Sequence, residues 1–535
     1  MSAWRGAAFF SLTFSACAGS GFPDVIDATH IATSFGAPEI ERIRDAGSTR
    51  LPMQGPWRGE SDGVAAPGEL LLIEGGGFGR QPTISIGGRA TAIAARTDGG
   101  GILVRVPTGA PVGEVEISVS QAKGRARKTF RLRRLAVVVH DDSVRFLEVA
   151  RDGAKLLPAS LALDGASLVR LSHDGSAAFV LQSRAARGDQ IVALDLGAAG
   201  GPRVSMERPL SHRATALAAA EDAPVFVAVG EGKLTLFDAA YAPRPAPYPA
   251  TALPKEFAGA RAFELSPDGK VLAALVPEGN RLVVADVSQP PSIKFVTAVD
   301  LLPAERLPLV TDLAFSSDGE TLWVVSGDNA ATMPSVQPTR LTAVRLLVDG
   351  TNTTGGARAR ITEKLISVWR TQTVPGASAP LRLAIARGQP LASGTTIRMP
   401  PEKAAVFVTA LADALFKLGE LDLSTAAGAK AALKLWHPPA PGMMVRADIN
   451  GGGGPLFTTP QIMAAVDLTP DAQLVVATSV RVSPAPATDS VVLDFGVTVS
   501  PIWGTPEPLF LSFGPLRGSS SLKPPFRLGE VKIQP

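Results

Sequence analysis

The chain has 535 residues, 45% of them hydrophobic and 19% charged, so it can bury a large core and is too long for one ordinary domain of ~150 residues. Its 53 glycines and 45 prolines exceed the average share without reaching the ~25–30% of low-complexity chains; this suits short strands punctuated by turns and argues against long helical bundles. With 52 basic and 49 acidic residues the net charge is +3, which is not the balance of a nucleic-acid-binding protein.

The first element is a secretory signal: Arg5, then Ala7, Ala8, Phe9, Phe10, Leu12 and Phe14, then small residues at Ser15 and Ala16 before Cys17. It is too short to span a bilayer as a stable helix. The run Thr13-Phe14-Ser15-Ala16-Cys17 resembles a bacterial lipoprotein signal, in which the cysteine after the cleavage site carries diacylglycerol on its thiol; Phe14 stands where that family usually has leucine. The resemblance implies removal of residues 1–16, lipidation at Cys17 and, with Ala18 next, the outer membrane. Cys17 is the sole cysteine, so no disulfide forms within the chain. Residues 17–61 read as a lipidated N-terminus and flexible tether with a span of roughly 35–40 Å. Within it, residues 38–46 are a short amphipathic candidate, with Ile40 and Ile43 three apart on a face.

From residue 62 to 132 the pattern becomes short apolar runs between glycine turns, which is strand behaviour. The landmarks are Pro67-Gly68, the run 70–73, Gly75-Gly76-Gly77-Phe78-Gly79, the run 84–88, Leu103 to Pro107 and Gly113 to Val119. Their order resembles an IPT/TIG immunoglobulin-like domain, which implies a small β-sandwich. Gly77 and Gly79 would take positive φ, Phe78 would plug the space between the sheets, and Pro107 would end a strand. Gly59-Glu60-Ser61-Asp62-Gly63 matches the letters of a nucleophile elbow but lacks the strand before and the helix after that this chemistry needs. The basic run 123–134 reads as a charged edge strand and interdomain joint, in which like charges discourage pairing; docking on lipid headgroups or other envelope anions is the second reading.

The rest of the chain repeats one unit: apolar strand, a tight Ser-x-Asp-Gly turn, apolar strand, turn, and a third strand often ending in Asp. The turns are Ser172-His173-Asp174-Gly175, Ser266-Pro267-Asp268-Gly269 and Ser316-Ser317-Asp318-Gly319, with degenerate copies at 220–223, 469–472 and 400–403. The spacing of the earlier copies matches the ~40–50-residue period of propeller blades. Residues 133–535 thus look like a β-propeller of the YVTN or lactonase-like kind, most simply seven-bladed, with six or eight as alternatives. A hairpin at 135–149 lacks a first strand, and the C-terminal strands 510–513 and 530–533 lack a blade; joining them would close the ring. Insertions are expected near 327–340 and 348–392.

Chemistry is sparse. His30, His140, His173, His212 and His437 show no paired metal spacing, so no metal site, catalytic set or cofactor is assigned. The polar residues most able to converge at one rim are Arg184, Arg187, Asp189, Glu278, Asn280, Asp328, Asn329 and Arg340, on the loops between second and third strands. The expectation is an all-β, non-catalytic lipoprotein of the bacterial cell envelope, on the periplasmic or surface face of the outer membrane. It would bind an envelope protein or glycan through its propeller. The alternative is an exported lactonase-like hydrolase with its site at the channel mouth.

Overall fold

The computed structural model describes residues 36–46 and most of 64–535. Outside the described residues lie 1–35, 47–63, 302–308, 328–339, 347–365, 374–378, 386–404, 412–441, 485–490, 502–506, 516–528 and a few turns of one to four residues. The described chain is almost entirely antiparallel β-structure, organised as nine sheets.

Two of these form a sandwich. One is ordered Glu39–Asp45, Leu70–Gly76, Ile102–Arg105, Ile93–Arg96; the other Arg89–Thr91, Thr83–Ile86, Gly113–Gln121, Gly124–Leu132. Alternate residues of each turn inward, and Leu71, Ile73, Ile84, Ile86, Ile102, Val104, Ile117 and Val119 are buried together with Phe78, as the pattern predicts. The glycine turn also behaves as expected, with Gly77 at φ 70 and Gly79 at φ 34.

One element corrects the sequence reading. Residues 39–45, expected in the tether, are an edge strand paired to Leu70–Gly76. A spacing of three between Ile40 and Ile43 suggests a helix face, but a register shift between Ile40 and Arg42 inserts one extra residue and brings both isoleucines to the core side. The basic strand Gly124–Leu132 lies at a sheet edge, as predicted, and its charge is partly answered. Arg125 and Arg127 sit 3.2 and 3.4 Å from Glu116, and Arg131 2.6 Å from Glu148.

The other seven sheets are the blades of a ring, and the fold is a β-propeller. The innermost strands in ring order are Glu530–Ile533, Ala166–Leu171, Ala216–Ala219, Ala262–Leu265, Leu309–Phe315, Ala379–Ile385 and Ile462–Leu468, for blades 1 to 7. Each touches the next, and the seventh touches the first. Blade 1 takes its inner strand from the C-terminus: Glu530 pairs Val139 and Ile533 pairs Ala136, supplying the first strand the 135–149 hairpin lacked. The other C-terminal strand, Leu509–Pro515, instead forms the outer edge of blade 7. The expected insertion at 348–392 also contains regular blade structure: Ile366–Thr373 is the outer strand of blade 5 and Ala379–Ile385 the inner strand of blade 6. Their turns lack the Ser-x-Asp-Gly signature, so the sequence period fades there while the sheets continue.

The turn chemistry is visible in detail. In blade 2, Asp174 Oδ1 accepts from Ser172 Oγ at 2.7 Å, Ser176 Oγ at 2.8 Å and Ser176 N–H at 3.1 Å, while Gly175 takes φ 71. Ser266 and Asp268 repeat the contact at 2.6 Å. Serine also receives the N–H five residues on, at 2.9 Å in blade 2 and 3.0 Å in blade 4, and Thr469 does the same at 3.0 Å in blade 7.

The sandwich seats on these turns. Gly68, at φ 87, packs so closely that a Cβ there would lie 1.7 Å from the Asp174 carbonyl oxygen, so only glycine fits. Arg105 donates to Gly68 O at 2.7 Å and reaches Asp174 at 4.0 Å. The opposite face of the ring, built from second-to-third strand hairpins and the connectors between blades, is turned away from this joint.

Candidate functional site

Inner strands alternate. One set of side chains packs into the blade interfaces, such as Val169, Phe263, Leu265, Leu313, Val531 and Ile533; the alternate set turns toward the axis, its charged members half-buried and Ala218 fully covered. At the position two residues before the turn this second set reads Lys532, Arg170, Ala218, Glu264, Ala314 and Asp467 for blades 1 to 5 and 7, and Glu530 and Asp312 lie one alternation further up their strands. These groups sense one another across the ring: Arg170 in blade 2 is coupled to Glu264 in blade 4 and Asp312 in blade 5. A mixed-charge bore is the candidate site.

Two of its carboxylates are committed to the architecture. Glu530 accepts from Arg170 Nη1 at 2.6 Å and, through its other oxygen, from Val169 N–H at 2.5 Å; Arg170 also donates to Val169 O at 2.7 Å. Burial alone would raise the Glu530 pKa, but Arg170 and Lys532 outweigh it and hold it below the usual carboxylate value. Burial would likewise lower the Arg170 pKa, yet Glu530, Glu264 and Asp312 raise it. Asp467 accepts Ile533 N–H at 2.8 Å. The closing strand is therefore clamped from blade 7 on one side and blade 2 on the other.

Glu264 is different. No hydrogen bond supports it among the described residues. Burial pushes its pKa from 4.5 up to about 7, with Glu221 and Asp312 adding to the rise and Arg170 and Lys532 opposing it. Such a group exchanges a proton near neutrality, the property a general acid or base needs.

Sequence reasoning missed this bore. The available signal was a lone charge in an otherwise apolar strand, two residues before the turn: Arg170 before Ser172, Glu264 before Ser266, Asp467 before Thr469. Among the described rim residues, Arg184, Asp189 and Asn280 lie at the hairpin ends of blades 2 and 4. Asp189 is buried and its carboxylate accepts Ala214 N–H at 2.8 Å, so it ties blade 2 to the start of blade 3. Asn280 is buried at φ 50, and its backbone builds a turn, accepting Leu301 N–H at 2.9 Å. The Asp189 carboxylate and the Asn280 backbone thus hold architecture together, while Asn280 Oδ1 is buried without a hydrogen-bond partner among the described residues. Arg184 remains at the rim, 3.8 Å from Glu207 within its own blade. Arg340 begins the third strand of blade 5. Arg187, Glu278, Asp328, Asn329 and Cys17 lie outside the described residues. His140 packs against Phe495 at a tilt of 32°, ring centroids 3.9 Å apart, a contact between blades 1 and 7.

No family model matches the chain, and no curated protein matches it. Among solved structures it is similar to a putative 6-phosphogluconolactonase from Bacteroides fragilis, with 12% identity over 75% of this chain and 98% of that one and a TM-score of 0.42. It is also similar to one from Bacteroides uniformis, with 13% identity over 71% and 99% and a TM-score of 0.41. The periplasmic gluconolactonase of Pseudomonas aeruginosa matches with 16% identity over 61% and 92% and a TM-score of 0.35. These are likenesses of architecture, and chemistry does not follow from architecture.

Proposed function

We propose that this chain is a bacterial cell-envelope lipoprotein, anchored through Cys17, whose propeller binds an envelope protein or glycan on the face turned away from the sandwich. The sandwich, read as an IPT/TIG module, would space the ring from the tether. The observation that carries the proposal is the seating of the sandwich on the Asp-Gly turn of blade 2 at Gly68 and Asp174, at the end of the ring away from the second-to-third strand hairpins. Arg184, Arg187, Glu278, Asp328, Asn329 and Arg340 are the rim residues proposed to meet the partner. The test is cross-linking capture from envelopes with the full chain and with Cys17→Ala. A reproducible partner, with membrane association lost in the variant, is the expected result; membrane association unchanged in Cys17→Ala would overturn the anchor, and absence of any partner or glycan would overturn the binding role.

A second reading, hydrolysis at the bore, is favoured by Glu264, whose pKa of about 7 suits proton transfer. A panel of chromogenic esters and lactones tests it. Turnover that follows a group near that pH and disappears in Glu264→Gln supports hydrolysis; equal background rates in both proteins exclude it for those substrates.

A further inference from the structure

Away from the bore, a cleft of about 460 Å³ opens between blades 3 and 4, within the ~300–1,000 Å³ range of small-molecule sites. One wall is Thr215 and the hairpin Val229 to Gly232; the other is the connector from Leu253 to Ala260. It lies on the face opposite the sandwich, because that hairpin and connector belong to the second-to-third strand end of the ring. Phe257 and Phe263 supply an apolar floor, their rings nearly parallel at 9° with centroids 6.4 Å apart.

The hairpin turn carries an odd residue. Glu231 and Gly232 take φ 50 and 68, a two-residue turn that favours Asn-Gly, and a glutamate there costs about 1–2 kcal/mol of backbone strain. Its Oε2 accepts Arg213 N–H at 3.1 Å, and the residue lines the cleft. Lys255 faces it across the cleft as the one other charged lining residue. A net anion or cation is attracted at one wall and repelled at the other. A neutral polyol meets an acceptor at Glu231, a donor at Lys255 and the partly exposed apolar side chains of Leu253 and Pro254 for its C–H face.

We propose that this cleft binds one neutral sugar ring of a glycan. The proposal rests on the binding reading above and narrows it from protein or glycan to glycan. Saturation-transfer NMR on the full chain, with the methyl glycosides of glucose, galactose and N-acetylglucosamine and with Ala-Ala as a zwitterionic control, tests it. Three variants accompany it. Thr215→Trp fills the cleft from an exposed position; Lys255→Ala removes the donor; Glu231→Asn removes the carboxylate while suiting the turn. The expected result is transfer to the ring protons of at least one glycoside, with affinity reduced at least tenfold by Thr215→Trp and several-fold by Glu231→Asn and Lys255→Ala, with the melting temperature unchanged in Thr215→Trp and Lys255→Ala and not lowered in Glu231→Asn. No transfer from any glycoside, transfer unaltered by Thr215→Trp, or preference for Ala-Ala would overturn it. A partner captured by the unmodified chain, with no transfer from any glycoside, would sink this inference and leave the broader binding role standing.

Discussion

Along the arc of blades 7, 1 and 2 the axial side chains are bonded from strand to strand: Asp467 to Ile533 N–H, Glu530 to Arg170 and Val169 N–H. Across the bore, the equivalent positions in blades 3 and 5 are Ala218 and Ala314, and Glu264 between them has no such support. Both glutamates are half-buried in the bore, yet one is held below the ordinary carboxylate range and the other rises to about 7. Burial penalises the charge in both places. What differs is whether an adjoining strand brings a guanidinium to within bonding distance.

The largest effect should come from removing one side of the comparison. Deleting residues 530–535 strips the inner strand from blade 1, exposes Val531 and Ile533 and leaves Arg170 without its partner. We expect a loss of more than about 5 kcal/mol and a broadened urea transition. Next, Arg170→Met leaves Glu530 as an unpaired buried charge; it should cost roughly 3–5 kcal/mol at pH 7, and the deficit should shrink as acid protonates Glu530. A deficit below about 1 kcal/mol would show that the pair is well solvated.

The third prediction concerns pH, and the two carboxylates give opposite slopes. Glu530, with a lowered folded pKa, contributes stability above the unfolded value of 4.5 that is lost as pH falls through its folded pKa. Glu264, with a raised folded pKa, stays protonated while the unfolded chain ionises, so it costs stability progressively from 4.5 to about 7 and by a constant amount above that. Glu264→Gln should therefore match the wild type near pH 4 and exceed it by about 2–3 kcal/mol at pH 8, read from urea midpoints. Equal midpoints at pH 8 would remove the asymmetry of the bore. The smallest effect belongs to the turns: Asp268→Ala should cost about 1 kcal/mol, and Asp174→Ala somewhat more, since Asp174 accepts three bonds in its own turn and also meets Arg105 from the sandwich.

Much of the fold was legible because it is written in local chemistry. The Ser-x-Asp-Gly turns announce themselves by residue type, since the serine and aspartate satisfy backbone groups two to five residues away and glycine takes the positive φ. The Phe78 plug and its flanking glycines were readable for the same reason. Past the Ser316 turn of blade 5 the signature fades, so the outer strand of blade 5 and the inner strand of blade 6 read as an insertion, and at Ile40 and Ile43 a bulge imitated helical spacing. The candidate site was almost unreadable. The rim residues were chosen for polarity, and only the structure places the Asp189 carboxylate on the start of blade 3 and the Asn280 backbone in a turn.

The sequence by itself determined the all-β character, the sandwich core, the turn-marked blades and the strand that closes the ring, because period, turn residues and apolar runs act over a few positions. Only the tertiary structure decided which charges meet. Arg170 and Glu530 are 360 positions apart, and Glu264 owes its proton affinity to burial and to side chains from other blades. Electrostatic energy depends on distance and solvent access, and the closed ring alone sets both.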